Sequence, residues 1–100
     1  MLEHYVFLKY RAGTSAAHVS AFCERMLALR HSIGQIRRLE IGRDELHDAR
    51  SWDLVLIMAF ESVDALREYQ RHPLHLALMA FNEPYLANVA SVDFTRGDQR

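Results

Sequence analysis

Tyr69, His72 and His75 lie close together in the sequence, with Pro73 between the two histidines. A tyrosine hydroxyl is a neutral hydrogen-bond donor at neutral pH, and a histidine gains or loses a proton near pH 7, so the two can form an acid/base pair. Proline cannot continue a helix, but it suits the first turn of a new one. We therefore predict a helix that breaks near His72 and restarts after Pro73, which turns Tyr69 and His75 toward a common space.

Two other interpretations of the same histidines are open. A histidine just before a helix often caps it, and one near the helix start often caps or fills a gap, so both side chains could serve the fold alone. His72 and His75 could also share a metal ion if the helix were continuous. Pro73 argues against continuity and no cluster of acids is nearby, so we predict no metal site.

Length and composition indicate an ordinary globular chain. The 100 residues, half hydrophobic and a quarter charged, predict one domain over residues 1–100. The net charge of −1 gives no basic field for nucleic-acid binding. Cys23 is the single cysteine, which excludes an intrachain disulfide and predicts a core position. Without a long apolar run or a signal-like start, we expect a soluble, cytoplasmic protein that does not bind membranes.

Hydrophobic periodicity predicts the order βαββαβ. The predicted strands cover residues 4–10, 36–42, 52–61 and 91–96. One helix begins at Thr14 or Ser15 and reaches Ser32, and a second begins after Ser62, breaks at Pro73 and ends near Pro84, with a last helical turn over residues 85–89. Residues 43–51 form a polar loop that we expect to be mobile. This order predicts a ferredoxin-like α+β fold, in which one four-stranded antiparallel sheet carries its helices on a single face.

The predicted buried residues follow helical and strand periods. The first helix buries one stripe, and the third strand puts alternate residues on one face. The stripe comprises Val19, Phe22, Cys23, Met26, Leu27 and Ile33, and the strand face comprises Trp52, Leu54, Leu56, Met58 and Phe60. Val92 and Phe94 share a face of the last strand.

The other face of the sheet is apolar as well. Tyr5, Phe7, Val55 and Ile57 point away from the helices by strand alternation. A soluble monomer rarely exposes such a contiguous apolar patch. We therefore predict a homodimer in which two sheets pack face to face about a two-fold axis.

Four segments together resemble a known family. They are the opening strand with His4, the sequence FES at residues 60–62, the pattern YxxHPxH at residues 69–75, and VDF at residues 92–94. In this order the segments resemble the stress-responsive A/B barrel (Dabb) proteins. The resemblance implies a dimeric α/β barrel, which agrees with the argument from the sheet face. The family includes plant stress-associated proteins, bacterial proteins without an assigned role, and olivetolic acid cyclase.

The resemblance to the cyclase, carried by the YxxHPxH pattern, implies a candidate site. A histidine and a tyrosine promote an aldol-type ring closure there without metal or organic cofactor, and they correspond to His75 and Tyr69. The cyclase's strand-one histidine corresponds to His4. We expect Met26, Leu56 and Met79 to line the substrate pocket. The cyclase has a tyrosine and a glycine where this chain has Met26 and Met79, so the ligand would be a small apolar or aromatic carbonyl compound rather than a long-tailed polyketide.

Three functions are compatible with these residues. In a cofactor-independent enzyme of cyclase or lyase type, His75 would be the general base, Tyr69 the hydrogen-bond donor to an enolate, and His4 would orient one of them. In a non-enzymatic stress-associated structural or assembly protein, the same three side chains would form a buried structural network. Oxygen or haem chemistry rests only on analogy with other barrels of this kind.

Overall fold

The computed structural model describes residues 1–97 and has the predicted element order. Its elements are β1 (Leu2–Tyr10), α1 (Ala16–Ser32), β2 (Arg38–Arg43), β3 (Leu54–Phe60), α2 (Val63–Arg71), α3 (Pro73–Asn82), a 3-10 turn (Glu83–Tyr85) and β4 (Leu86–Thr95). The strands form one antiparallel sheet in the order β2-β3-β1-β4. This confirms the predicted ferredoxin-like α+β fold.

Helix α1 begins as predicted but buries a different row of side chains. The Ser15 hydroxyl caps it by accepting from the His18 backbone N–H at 3.0 Å. Leu27, predicted to be buried, is 45% exposed, and Leu29 lies in the core instead. The predicted buried stripe included Leu27 because it lies four residues after Cys23. The buried face instead follows the row through Phe22 and Met26, which turns Leu27 toward solvent.

Strand β4 begins earlier than predicted. Residues 85–89 do not form a last helical turn, because the 3-10 turn ends at Tyr85 and β4 starts at Leu86. The strand pairs with β1 from Tyr10↔Leu86 to Leu2↔Thr95. The nine-residue β1 offers an unpaired edge along its whole length, and this long-range pairing outweighs the weak local helical signal.

The connection between β2 and β3 is tied to itself and to β1. The Asp44 N–H donates to the Asp53 carbonyl and the Asp53 N–H donates to the Leu8 carbonyl, both at 2.9 Å. His47 has a positive φ of 55°, and its N–H donates to the Asp44 carboxylate at 2.6 Å. The mobility expected for residues 43–51 stays a prediction. No helix within residues 1–97 has both the length and the apolar character needed to cross a membrane.

Trp52 does not continue the buried row of β3. It precedes the strand, and its ring lies 6.2 Å from the ring of Phe7, on the sheet face away from the helices. The rest of the predicted row, Leu54, Leu56, Met58 and Phe60, is buried. The alternation of a strand holds only for residues inside it, and Trp52 lies in the preceding loop.

The sheet face away from the helices is apolar and open to solvent within this protomer. In the register, Tyr5 lies between Ile57 and Val92, and Phe7 lies between Val55 and Ala90. Tyr5, Phe7, Val55 and Ile57 are half-buried, while Val92 and Phe94 are 55% and 39% exposed. On the same face the buried Glu3 carboxylate pairs with Arg38 and, at 3.7 Å, with Arg96. The face is therefore a continuous apolar surface with an ion cluster at one end.

Candidate functional site

The break between α2 and α3 lies where the sequence predicts it. His72 ends α2 and caps α3, because its Nδ1 accepts from the Leu74 backbone N–H at 3.1 Å. Pro73 follows as the first residue of α3. His72 thus has the capping role that the structural interpretation gave to a histidine before a helix.

The break leaves one backbone carbonyl of α2 for a side chain. In a continuous helix the Gln70 carbonyl would accept from the Leu74 N–H, which here is bound to His72. The Gln70 carbonyl instead lies 3.0 Å from Nδ1 of His75. Since a carbonyl oxygen only accepts, Nδ1 carries the proton and donates. The neutral ring of His75 therefore has its lone pair on Nε2, the position of a general base.

Burial keeps the imidazole of His75 neutral. Desolvation lowers its pKa below the ordinary value of 6.5, and the nearby His4 and His72 act in the same direction. The hydrogen bond to the Gln70 carbonyl opposes this shift only in part. At neutral pH the side chain can accept a proton without first losing one.

Tyr69 lies beside His75 in a buried position. Its side chain is 2% exposed, and its ring centroid lies 4.4 Å from that of His75 and 5.1 Å from that of Phe60. Burial raises the pKa of the phenol well above its ordinary value. Among the described residues the hydroxyl makes no hydrogen bond, and its oxygen is not completely buried. Tyr69 can therefore donate to a ligand.

His4 lies on the helix-facing side of β1, as predicted, and its hydrogen bond is to a residue other than Tyr69 and His75. Its Nδ1 is bonded to the Asp93 carboxylate, and the register places Asp93 directly opposite on β4. The ring of Phe60 stands beside it, with centroids 6.2 Å apart. Within residues 1–97 no hydrogen bond joins His4, Tyr69 and His75 to one another. The three side chains are neighbours with separate partners.

These side chains line a cavity of about 80 Å³ between the sheet and the α2–α3 pair. Leu56 and Met79 line it, and their role in binding a substrate stays a prediction. Met26 does not: it is completely buried, and Phe22, one turn earlier on α1, takes the place expected for it. A cavity of about 150 Å³ can hold benzene. The smaller volume here fits only a compound of a few non-hydrogen atoms unless the flexible Met79 moves.

Two polar residues of this region were not predicted. Asn82 is 1% exposed, lines the cavity, and accepts at Oδ1 from the Tyr10 hydroxyl at 2.7 Å and from Nε2 of His18 at 3.0 Å. Burial raises the pKa of Tyr10 to about 12. The other missed residue is Asp93, the partner of His4. Asn82 lies four residues after the buried Leu78, and this helical spacing was the signal available for it.

The described part of the chain contains no group of three or more His, Cys, Asp or Glu side chains that could hold a metal ion. His72 and His75 are directed to different backbone groups, Leu74 N–H and the Gln70 carbonyl. The polar groups at the cavity are thus a neutral imidazole, a phenol, an amide and a histidine–carboxylate pair. Such a set can exchange a proton and hydrogen-bond an oxygen.

Solved structures share this fold over nearly the whole chain. A dimeric ferredoxin-like protein of unknown function from Thermobifida fusca is 23% identical, with a TM-score of 0.85 over 95% of this chain and 90% of that chain. A dimeric protein of ferredoxin-like fold from Bacteroides fragilis is 26% identical, with a TM-score of 0.82 over 93% of each chain. The hydroxynitrile lyase from Passiflora edulis has a TM-score of 0.87 over 99% of this chain and 95% of that chain, but at 14% identity the likeness is one of fold alone.

None of the curated proteins matches this chain. The resemblance of its YxxHPxH pattern to olivetolic acid cyclase therefore stays a prediction. The model of the Stress responsive A/B Barrel Domain family, by contrast, matches residues 2–96. Because this match spans nearly the whole sequence and agrees with the observed fold, the chain belongs to the stress-responsive A/B barrel (Dabb) family.

Proposed function

We propose that the cavity between the sheet and the α2–α3 pair binds a small carbonyl compound and exchanges a proton with it. The observation that carries this proposal is the pairing of two available polar atoms at one cavity. Nε2 of His75 is left with a lone pair by the bond from Nδ1 to Gln70, and the Tyr69 hydroxyl has no partner among residues 1–97.

The proposed reaction gives Nε2 of His75 and the Tyr69 hydroxyl one role each. Nε2 of His75 removes a proton from the carbon next to the carbonyl, and the electron pair of that C–H bond moves into an enolate. The Tyr69 hydroxyl donates to the enolate oxygen, where negative charge develops. Return of the proton from His75 completes the exchange, and reaction of the enolate with a second carbonyl would give an aldol-type product. His4, held by Asp93, forms the polar wall on the sheet side of the ligand.

The non-enzymatic alternative receives less support from the same geometry. A structural network would consist of side chains that satisfy one another, because buried polar groups without partners are costly. His4, Tyr69 and His75 share no hydrogen bond within the described residues. The Tyr69 hydroxyl in particular forms no hydrogen bond with any residue between 1 and 97.

The proposed assembly is a homodimer through the outer sheet face. The exposed apolar surface around Tyr5, Phe7, Val55 and Ile57 supports it, as do the dimeric proteins of this fold from Thermobifida fusca and Bacteroides fragilis. The candidate cavity opens on the opposite side of the sheet, so each protomer would carry a complete site.

The direct test is deuterium uptake from D2O next to the carbonyl of acetone and of other ketones and aldehydes of up to about six non-hydrogen atoms, the size of benzene. Proton NMR follows the loss of the C–H signal. We expect the wild-type protein to exceed the rate in buffer with at least one compound. His75→Ala should return the rate to background, and Tyr69→Phe should lower it by about 10²–10³, the usual effect of losing one donor to an enolate or oxyanion.

His31→Ala is the matched control, because His31 is an exposed histidine of α1 away from the cavity. It should exchange at the wild-type rate. If wild-type protein and His75→Ala exchanged equally with every compound, the proposed chemistry would be wrong and the structural interpretation would replace it.

A further inference from the structure

A second and larger pocket lies at the opposite end of β1 from the carbonyl cavity. This pocket, the β1–α1 cleft, has a volume of about 580 Å³. It is lined by Lys9, Tyr10, Arg11, Ala12, Thr14, Ala16, Val19, Arg43, Asp44, His47, Asp53 and Leu54, none of which lines the cavity around His75. Pockets for small molecules commonly measure about 300–1,000 Å³. The cleft is large enough for a ligand with one or two rings.

Both carboxylates of the cleft already have partners. Asp53 accepts from the Tyr10 backbone N–H at 2.7 Å and lies 3.6 Å from the Lys9 ammonium. Asp44 accepts from the His47 backbone N–H at 2.6 Å and lies 3.4 Å from Nδ1 of that ring. The Asp53 contacts hold the end of the loop against β1, and the Asp44 contacts lie within the loop. The Asp53 carboxylate also neutralises Lys9, so Lys9 adds little to the field inside the cleft.

The two arginines of the cleft have no such partners. Among residues 1–97 no carboxylate lies within ion-pair distance of Arg11 or Arg43. Nε of Arg11 donates to the Leu86 carbonyl at 3.2 Å, which fixes its direction without neutralising it. Arg43 lies beside the thiol of the buried Cys23, where its charge opposes the effect of burial on the thiol pKa. With Lys9 paired to Asp53 and Asp44 still ionised, the ionised side chains of the cleft are three cations and two carboxylates, so the cleft has one net positive charge and neither guanidinium is held by one of these carboxylates.

The inner wall of the cleft is apolar. Leu54 is 2% exposed and Tyr10 is 8% exposed, and Val19 packs against the core beside them. Ala16, in the first turn of α1, leaves room above this surface because its side chain is a single methyl group. The apolar inner wall and the guanidinium groups of Arg11 and Arg43 together match a ligand that has a flat apolar body and an anionic end.

We propose that the β1–α1 cleft binds a small organic carboxylate, with its apolar body on Leu54, Val19 and Tyr10 and its carboxylate on the Arg43 guanidinium. Arginine presents paired N–H donors that fit the two oxygens of a carboxylate. Arg11 supplies a second positive charge at the mouth. This site is separate from the proposed carbonyl chemistry and does not depend on it.

Isothermal titration calorimetry with naphthoate tests the proposal. We expect saturable one-to-one binding by the wild-type protein, and binding of the neutral naphthylmethanol at least about tenfold weaker. Arg43→Met keeps the length and apolar stem of the side chain but removes its charge. It should weaken naphthoate binding by about 10- to 100-fold, the effect of losing a hydrogen bond to a charged group.

Arg30→Met is the matched control, because Arg30 is an exposed arginine of α1 outside the cleft, and it should bind naphthoate like the wild type. His75→Ala should also leave naphthoate binding unchanged, since the two pockets share no lining residue. Arg43→Lys, which keeps the charge without the paired donors, should show an intermediate loss. It also guards against a misfolded Arg43→Met protein.

The proposal would be overturned by no naphthoate binding by the wild type, by equal affinity for naphthoate and naphthylmethanol, or by wild-type affinity in a folded Arg43→Met protein. Loss of naphthoate binding in His75→Ala would place the ligand in the other cavity and overturn it as well. Failure of the carbonyl-exchange experiment has no bearing on any of these results.

Discussion

Two buried tyrosines of this protein use their hydroxyls in opposite ways. The Tyr10 hydroxyl donates to Asn82 at 2.7 Å, while the Tyr69 hydroxyl has no partner within residues 1–97. The same change, Tyr to Phe, should therefore have unequal effects on stability. Tyr10→Phe should lower the free energy of unfolding by about 1 kcal/mol. Tyr69→Phe should change it by less than about 0.5 kcal/mol, because no protein hydrogen bond is lost.

Urea unfolding of the two variants beside the wild type measures the difference, and each variant serves as the control for the other. Equal losses would show that the Tyr69 hydroxyl is needed by the fold. That result would favour the structural network over the binding site, and it can be obtained before any ligand is known.

The lowered pKa of His75 makes both activity and stability depend on pH. As a base, His75 acts in its neutral form, so the exchange rate should rise with pH through an apparent pKa below 6.5 and be level at neutral pH. In the unfolded chain the ring binds a proton more readily than in the folded one. The titration of His75 therefore does not reduce the free energy of unfolding above about pH 6.5. As the pH falls from there toward the lower folded pKa, the free energy of unfolding declines.

His75→Gln removes this titration and should flatten the fall in stability below about pH 6.5 relative to the wild type. Unfolding free energies of both proteins between about pH 5 and 8 check this. His4 and His72, which both lower the pKa of His75, are present in both proteins. Parallel curves for the two proteins would contradict the prediction.

At the scale of elements, the break between α2 and α3 creates the candidate site. The His72 imidazole takes the Leu74 N–H, and this leaves the Gln70 carbonyl for His75. His72→Ala should lower the free energy of unfolding by about 1 kcal/mol, the usual cost of losing a helix cap, and His72→Asn should restore most of it. Denaturant titration is the measurement. His31→Ala, an exposed helical histidine, should be neutral, and a His72→Ala protein of wild-type stability would show that the cap is dispensable.

What the sequence predicts well here is local. The caps Ser15 and Ser62, the break at Pro73 and the proximity of Tyr69 to His75 follow from residue types within a few positions of one another. The βαββαβ order follows in the same way, from the periodicity of each segment. Such features need no knowledge of which strand pairs with which.

What the sequence predicts poorly depends on pairing between distant segments. Asp93 reaches His4 only because of the register of β4 on β1, and the early start of β4 at Leu86 has the same cause. Met26 and Phe22 both face the core from α1, and only the packing of α3 decides that Phe22 lines the cavity. The partners of Asn82 come from β1 and α1, far away in sequence.

At the scale of the whole molecule, the proposed homodimer depends on the outer sheet face. Ile57 lies on it between Tyr5 and Glu40 in the register. Ile57→Glu would put an unpaired carboxylate into the proposed dimer contact, at a cost of several kcal/mol. We expect monomer or aggregate for this variant in size-exclusion chromatography with light scattering, where the wild type should elute as a dimer.

Leu46→Glu is the control, since Leu46 is 76% exposed in the loop before β3 and the change in charge and size is similar. It should remain a dimer. An Ile57→Glu protein that is still dimeric and melts like the wild type would rule out this face as the contact.

Strand β3 places Leu56 and Ile57, neighbours in sequence, on opposite sides of one sheet. Leu56 lines the carbonyl cavity and Ile57 belongs to the proposed contact between protomers. The sheet thus separates two sets of contacts, so residues on one face can change without altering the contacts on the other. When substitutions on the two sides lie far apart and share no partner, their effects on the free energy of unfolding should be nearly additive. Relatives of this protein could therefore keep one assembly while exchanging one ligand for another, by changing only every second residue of a strand.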